Sequence, residues 1–174
     1  MREADFQPVQ IRPIDLSQDS IGELTDLLHR AYKPLDDMGL KFSATRQDDN
    51  VTLERIQDGK CFVAVYDGCL VGTITYYFPV LARHKRTPWL ERPGVAVFAQ
   101  FAVEPAFQQR GIGGRLIDMV EEAAKTDGAT EMALSTAAPA EHLIRYYAAR
   151  GYRYIEIGDF TLPRYRSVVM SKTL

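Results

Sequence analysis

Cysteine is scarce in this chain: Cys61 and Cys69 are the whole supply of thiols. They flank an Asp67-Gly68 turn, where tight hairpin pairing sets Cys69 opposite Tyr66 instead of Cys61, so a disulfide is not expected. Three scattered histidines add too few ligands for a zinc site, and no metal is expected. Both cysteines read as small buried apolar residues. No run approaches 18 apolar residues, and the first ten residues (MREADFQPVQ) have no apolar stretch of signal-peptide type, which argues against a membrane span or an exported chain. Neither sign of charge dominates: 21 basic and 23 acidic side chains leave a formal net charge of −2. That balance offers no reason to propose a nucleic-acid or anionic-membrane surface. The remaining class is a cytoplasmic globular protein, and 174 residues suit one domain over 1–174.

Glycine is concentrated in one place. Residues 95–126 read VAVFAQFAVEPAFQQRGIGGRLIDMVEEAAKT. The first nine form an apolar run suited to a strand buried on both faces, and Pro105 stops it because proline cannot donate to a ladder. The last part is helical in pattern, with Leu116, Ile117, Val120 and Ala124 on one stripe and Arg115, Asp118, Glu122 and Lys125 opposite. Between them Gly111, Gly113 and Gly114 let the backbone curl so that N–H groups converge at a helix N-terminus, a natural anion site. A plain glycine-rich turn is the alternative. A Walker loop is excluded because no Lys-Ser or Lys-Thr follows. The dinucleotide pattern G-x-G-x-x-G matches Gly111 and Gly113 but finds Leu116 at its third position, although Glu131 stands about 20 residues on, where that motif wants an acid.

The pattern [QR]-x-x-G-x-[GA] fits in full as Gln108-Gln109-Arg110-Gly111-Ile112-Gly113, directly after a strand ending Phe101-Ala102-Val103-Glu104-Pro105. Downstream, Tyr147-Ala148-Ala149-Arg150-Gly151-Tyr152 fits Y-x-x-x-G-[FY]. Together these segments resemble the acetyl-coenzyme A signature of the GNAT-type N-acetyltransferase superfamily, with agreement in order, spacing and length from about Val9 onward. The resemblance implies acetyl transfer from acetyl-coenzyme A to a primary amine of a small molecule or peptide, in a ternary complex. It implies a mixed, largely antiparallel twisted sheet flanked by helices and splayed after the central strand. The pantetheine arm would pair with Phe101, Ala102 and Val103. The diphosphate would rest on the N–H groups of Gln109, Arg110, Gly111, Ile112, Gly113 and Gly114, with Arg110 as the side-chain cation and Gln108 also in the cofactor site. Tyr147 would be the general acid, since a phenol stays protonated at neutral pH and can donate to the leaving sulfur. A core aromatic is the alternative role, and Tyr146 points about 100° away on a helix. A homodimer is common in the family.

Three positions depart from the family pattern. Ala140 stands where an Asn often bonds the pantetheine region, with Ser135 or Thr136 as substitutes. Val97 stands where some members carry a glutamate base, leaving Glu91, His84, Glu156 or water. Gln109 replaces a frequent Gly. Two other functions stay open at this level: a non-catalytic acyl-coenzyme A sensor, and a nicotinamide-dependent oxidoreductase.

The rest of the chain reads as alternating strands and helices, an α/β (α+β) fold with a mixed sheet. Strands are expected at 9–14, 61–66, 70–78, 131–135, 152–157 and 167–172. A first helix with Ile21, Leu24, Leu27, Leu28 and Ala31 inward would be capped by Ser17 or Ser20 and ended by Pro34. Residues 35–45 form a loop and 48–57 a second helix. Tyr32, Met38, Leu40 and Phe42 are candidates for an acceptor wall or for plain sheet cover. Residues 80–94 show no pattern but carry Arg83, His84, Lys85, Arg86 and Arg92, which either select an anionic acceptor or are solvated. Pro139 is expected to open a helix with Ala140, Leu143, Ile144, Tyr147 and Ala148 inward, closed by Gly151.

Overall fold

A computed structural model describes residues 8–84, 87–158 and 166–174. Within these residues seven strands form one sheet: β1 (Gln10–Pro13), β2 (Lys60–Tyr66), β3 (Cys69–Tyr77), β4 (Val95–Val103), β5 (Glu131–Ala137), β6 (Arg153–Gly158) and β7 (Ser167–Thr173). Their spatial order is β1-β2-β3-β4-β5-β7-β6, antiparallel throughout except that β4 runs parallel to β5. Among the described residues four α-helices accompany it: α1 (Ile21–Asp37), α2 (Asp49–Gln57), α3 (Ile112–Thr126) and α4 (Glu141–Ala149).

Period-two alternation along β4 divides the core between the two faces. Ala96 and Phe98 join the cluster under α3, with Leu116, Ile117, Val120 and Ala124 fully inside. Val95 and Val97 face the other way, with Tyr77, Val80 and Leu90. On that second side α1 and α2 cover the sheet through Leu24, Leu27 and Ile56 against Cys61, Val63 and Leu70. The Ser20 hydroxyl accepts the Glu23 N–H, and the Asp48 carboxylate accepts the Val51 N–H, so both helices have side-chain N-caps. Asp67 (φ 48°) and Gly68 (φ 75°) are both left-handed, as a two-residue hairpin between twisted strands demands, and Tyr66 lies opposite Cys69.

Four expectations need correction. Pro34 does not end α1, which continues one more turn to Asp37. A proline there forfeits a single N–H near the end of the helix, and the Met38 N–H still bonds the Pro34 carbonyl at 3.2 Å. Cys69 is exposed, because alternation at the start of β3 turns Leu70 inward and its neighbour out. Pro139 lies before the α4 N-cap, Ala140, and does not open the helix. Within α4 only Tyr147 is buried, since much of its inner face borders a cavity rather than packed core. The expected loop carrying Pro163 falls outside the described residues.

The joint between β4 and β5 positions the site. The two strands pair over three residues only, Val95 to Val97 against Glu131 to Ala133. Beyond that point β4 stays with β3, and β5 stays with β7 as far as Ala137 opposite Ser167. A wedge opens between them. A bulge at Gln100 (φ 53°) shifts the β3–β4 register and bends β4 away.

Candidate active site

Beyond the bulge, the Ala102 N–H and C=O point toward β3. This follows from the pairing of Thr73 with Ala102 and from the Glu104 N–H bonded to the Val71 carbonyl at 2.8 Å. The peptide groups of Phe101 and Val103 therefore point into the wedge. Side chains stand in for the strand that has left: the Tyr32 hydroxyl donates to the Phe101 carbonyl at 2.9 Å, and Gln108 Nε2 donates to the Val103 carbonyl at 3.2 Å. Both N–H groups face the opening, as an added strand would require.

At the near end of the wedge the chain makes a short 3-10 turn at Pro105–Phe107 and curls into α3. Gln109 (φ 62°) and Gly111 (φ 79°) are both left-handed. Gly111 is the N-cap and offers no side chain to the first turn. Among the described residues, no acceptor bonds the N–H groups of Gln109, Arg110, Gly111, Ile112, Gly113 or Gly114; the first helical bond runs from Arg115 to the Gly111 carbonyl. Six unengaged peptide N–H groups at the positive end of a helix form an anion cradle.

Two of these glycines sit close to neighbouring side chains. A Cβ on Gly113 would lie 3.1 Å from the Phe101 ring and 3.3 Å from the Tyr146 hydroxyl. One on Gly114 would lie 2.9 Å from the Arg150 guanidinium, which bonds the Gly114 carbonyl at 3.1 Å and the Asp118 carboxylate. Gln109 keeps its left-handed backbone with an exposed side chain. The Arg110 guanidinium stacks over Phe107, 5.0 Å from the ring centre, and does not line the cavity.

The wedge and the loop open into one cavity of about 1460 Å³. Tyr147 lines it from α4 while its ring packs on Phe98, Tyr146 and Tyr152. The residue is thus packed as a core aromatic and also borders the cavity. Burial pushes its phenol well above the usual value of 10, with Tyr32 and Tyr146 adding to the shift, so it holds its proton at neutral pH. Across the wedge, the Thr136 hydroxyl on β5 is buried with no partner among the described residues. Ser135 also lines the cavity but is exposed.

The opposite wall comes from the first third of the chain. Tyr32 and Phe42, ring centres 5.5 Å apart, line the cavity, whereas Leu40 is packed against Ala137 and Ala140, and Met38 is 59% exposed. Its cations are Lys41, Arg46 and Arg55. Arg55 donates to Gln47 Oε1 at 2.8 Å and to the Ser43 hydroxyl at 3.2 Å. Gln47 is itself buried and donates to Gln100 Oε1 at 2.8 Å, so the bulge and the cationic wall form one network. Sequence reading missed this network. Its one available signal was the polar Gln100 inside an apolar run.

The cations of the 80–94 segment are placed differently. Arg83 bonds Asp58 and reaches Glu54 at 3.4 Å, and Arg92 stacks on Trp89 at 4.2 Å. Lys85 and Arg86 lie outside the described residues. His84 lines the cavity; Glu91 and Glu156 do not, and Glu156 instead accepts the Trp89 N–H. No cluster of metal-binding side chains occurs among the described residues, and no helix among them is long and apolar enough to cross a membrane.

Residues 22–152 match the model of the acetyltransferase (GNAT) family. The chain is 33% identical over 158 residues to S-(2-succino)cysteine N-acetyltransferase of Bacillus subtilis, covering 87% of this chain and 89% of that protein. It is 31% identical over 133 residues to S-alkylcysteine N-acetyltransferase of the same organism, covering 75% and 71%. Its fold resembles the PaiA N-acetyltransferase of Thermoplasma acidophilum, solved with coenzyme A, at a TM-score of 0.71 and 18% identity over 97% of this chain and 100% of that one.

Proposed function

The chain belongs to the acetyltransferase (GNAT) family, an acyltransferase family using acetyl-coenzyme A as co-substrate, and on that premise we propose that it acetylates the α-amine of a small carboxylated acceptor of the S-substituted cysteine type. One observation carries the choice of acceptor: the cavity is lined by Lys41, Arg46, Arg55 and two histidines, and by no Asp or Glu among the described residues. A free amine with one or more carboxylates matches that wall, because cation–carboxylate hydrogen bonds are short and strong and unpaired anions avoid such a site. Acetyl groups of both relatives go to cysteine derivatives, as their names state.

The residues of the wedge fit the co-substrate. The cradle of Gln109, Arg110, Gly111, Ile112, Gly113 and Gly114 takes the diphosphate on peptide N–H groups, and Gln108 steadies the strand end. Arg110, stacked on Phe107, contributes charge at the rim and not a buried bond. Phe101 and Val103 offer N–H groups to the pantetheine arm, and the Thr136 hydroxyl supplies a polar contact across the wedge where Ala140 has none. A thioester supplies an acyl group already activated toward amines. The Phe101 N–H stabilises negative charge on its oxygen. Tyr147 gives its proton to the departing sulfur. Residues 1–174 act as a single domain in the cytoplasm.

Thiol release from acetyl-coenzyme A tests the reading with S-(2-succino)cysteine, S-methylcysteine and its decarboxylated counterpart. Both carboxylated acceptors are expected to turn over, and the decarboxylated amine to lose at least tenfold in kcat/KM. Arg55→Gln should raise the acceptor KM about tenfold or more, the size of one charged hydrogen bond, without changing acetyl-coenzyme A affinity. Equal turnover of the decarboxylated amine would refute the acceptor class. Binding of acetyl-coenzyme A with no thiol release would favour the sensor reading.

A further inference from the structure

A glutamine inside an otherwise apolar strand needs a reason. Gln100 occupies the bulge of β4, and bulges re-aim a side chain. The residue is only 5% exposed, yet it lines the cavity. A neutral amide has a donor end and an acceptor end, and its neighbours decide which end faces where. A guanidinium can only donate, so the 2.8 Å contact from Arg55 fixes Gln47 Oε1 toward it. Gln47 Nε2 then directs its two hydrogens to Thr52 Oγ1 and to Gln100 Oε1, each at 2.8 Å. With its oxygen engaged, Gln100 has Nε2 left over. Among the described residues neither Nε2–H has a partner, and the atom is not one of the unpartnered polar atoms closed off from the surface. These donors open on the cavity.

We propose that the Gln100 side-chain amide holds the α-carboxylate of the acceptor and so makes the site specific for α-amino acids over plain amines. This inference rests on the acceptor class proposed above. An amide nitrogen donates and cannot accept, so it suits an anionic oxygen and offers nothing to an ammonium group. The cationic wall supplies attraction with less direction: Lys41 and Arg46 share Asp36, at 2.9 and 3.9 Å. Gln100 supplies the direction. Phe101 follows it in the chain, and the Phe101 N–H points into the wedge where the thioester oxygen would lie. In an α-amino acid the amine and the carboxylate sit on one carbon. A carboxylate pinned at Gln100 therefore brings the nitrogen beside the thioester, which is how orientation lowers the barrier. Gln47 is a positioning residue, acting through Gln100 and touching neither substrate.

The test is thiol release from acetyl-coenzyme A by the wild type, Gln100→Met and Gln100→Glu, with S-methylcysteine and its decarboxylated counterpart. The quantity read is the ratio of kcat/KM between the two acceptors. Gln100→Met removes both donors, and the ratio should fall about tenfold or more through the KM for S-methylcysteine. Gln100→Glu keeps an oxygen for Gln47 Nε2 and sets an anion where the donors were. Like charges then face each other, and the ratio should fall about a hundredfold or more, making the plain amine the better acceptor. A merely structural role would lower both acceptors together. Both variants should keep the wild-type KM for acetyl-coenzyme A and the rise in Tm that it gives. A readout that needs no stable variant is the NMR signal of the wild-type Gln100 side-chain amide. It should shift when S-methylcysteine is added with coenzyme A and stay in place with the amine. A ratio within about threefold of wild type in both variants overturns the proposal, as does an amide signal that ignores the carboxylate. So does a raised KM for acetyl-coenzyme A with the ratio unchanged, which would place the amide on the co-substrate. A wild type that turns over both acceptors equally refutes the acceptor class instead. One that binds acetyl-coenzyme A but releases no thiol refutes the acetyltransferase reading; either result takes this proposal with it.

Discussion

Tyr147 concentrates the chemistry proposed for the cavity into one oxygen atom. Tyr147→Phe keeps the ring packed on Phe98, Tyr146 and Tyr152 and deletes only the hydroxyl. It should lower kcat about a hundredfold or more while leaving acetyl-coenzyme A affinity within about twofold; a drop in affinity with kcat unchanged would make the hydroxyl a binding group instead. Its place beside the cavity was legible because a linked pair of motifs fixed its distance in sequence from the glycine turn. Arg110 shows the limit of that method. Its position in the motif implied a cation on the diphosphate, but a guanidinium has several partners within reach and here it lies on Phe107. Spacing fixes where a Cα sits, and the longer the side chain, the less that settles its tip. Arg55, which reaches the cavity from another helix through Gln47, left no local trace at all.

Among the elements, the path from β4 through the glycine turn into α3 was readable almost to the residue. Each of its signals is local: an apolar run, a proline stop, clustered glycines and a 3.6-residue stripe. The side chain that meets the bulge, Gln47 on Gln100, was not readable, because it lies 53 residues away in sequence. Gln47→Leu tests how far the bulge and the wall are one unit. It strands the buried Gln100 amide and releases Arg55, and should cost about 1–3 kcal/mol of stability, or several degrees in Tm. The acceptor KM should rise while the acetyl-coenzyme A KM stays near wild type. A stability loss without any acceptor effect would separate the two roles. α1 and α4 were misread at their ends for a related reason. Whether a proline stops a helix, or an apolar stripe is buried, is decided by what packs outside the helix.

For the molecule as a whole, the architecture followed from alternating patterns, whereas the acceptor wall depends on segments far apart in sequence. The buried tyrosines make a prediction at this scale. Burial pushes the phenols of Tyr76, Tyr77, Tyr147 and Tyr152 above their ordinary value of 10 in the folded chain. Folded pKa values above unfolded ones mean that the native state holds these protons more tightly. Their contribution is complete below pH 10 and falls as pH rises beyond it, because the unfolded chain ionises first. Thermal melts should therefore show Tm falling above about pH 10. Absorbance at the tyrosinate band should show a step that coincides with unfolding and accounts for these four rings; ionisation of every tyrosine in the still-folded protein would contradict the burial.

The three rungs joining β4 to β5 have a mechanical consequence. Four strands on one side and three on the other each zip along nearly their full length, while the seam between them is short, like two stiff boards joined by one small hinge. Whatever lies in the gap spans both boards, and so acts as a brace against torsion. Amide hydrogen exchange should reveal this as slowed exchange along β5 and β7 when acetyl-coenzyme A binds, reaching backbone groups the ligand never touches. Protection confined to β4 and the start of α3 would mean the hinge is already rigid.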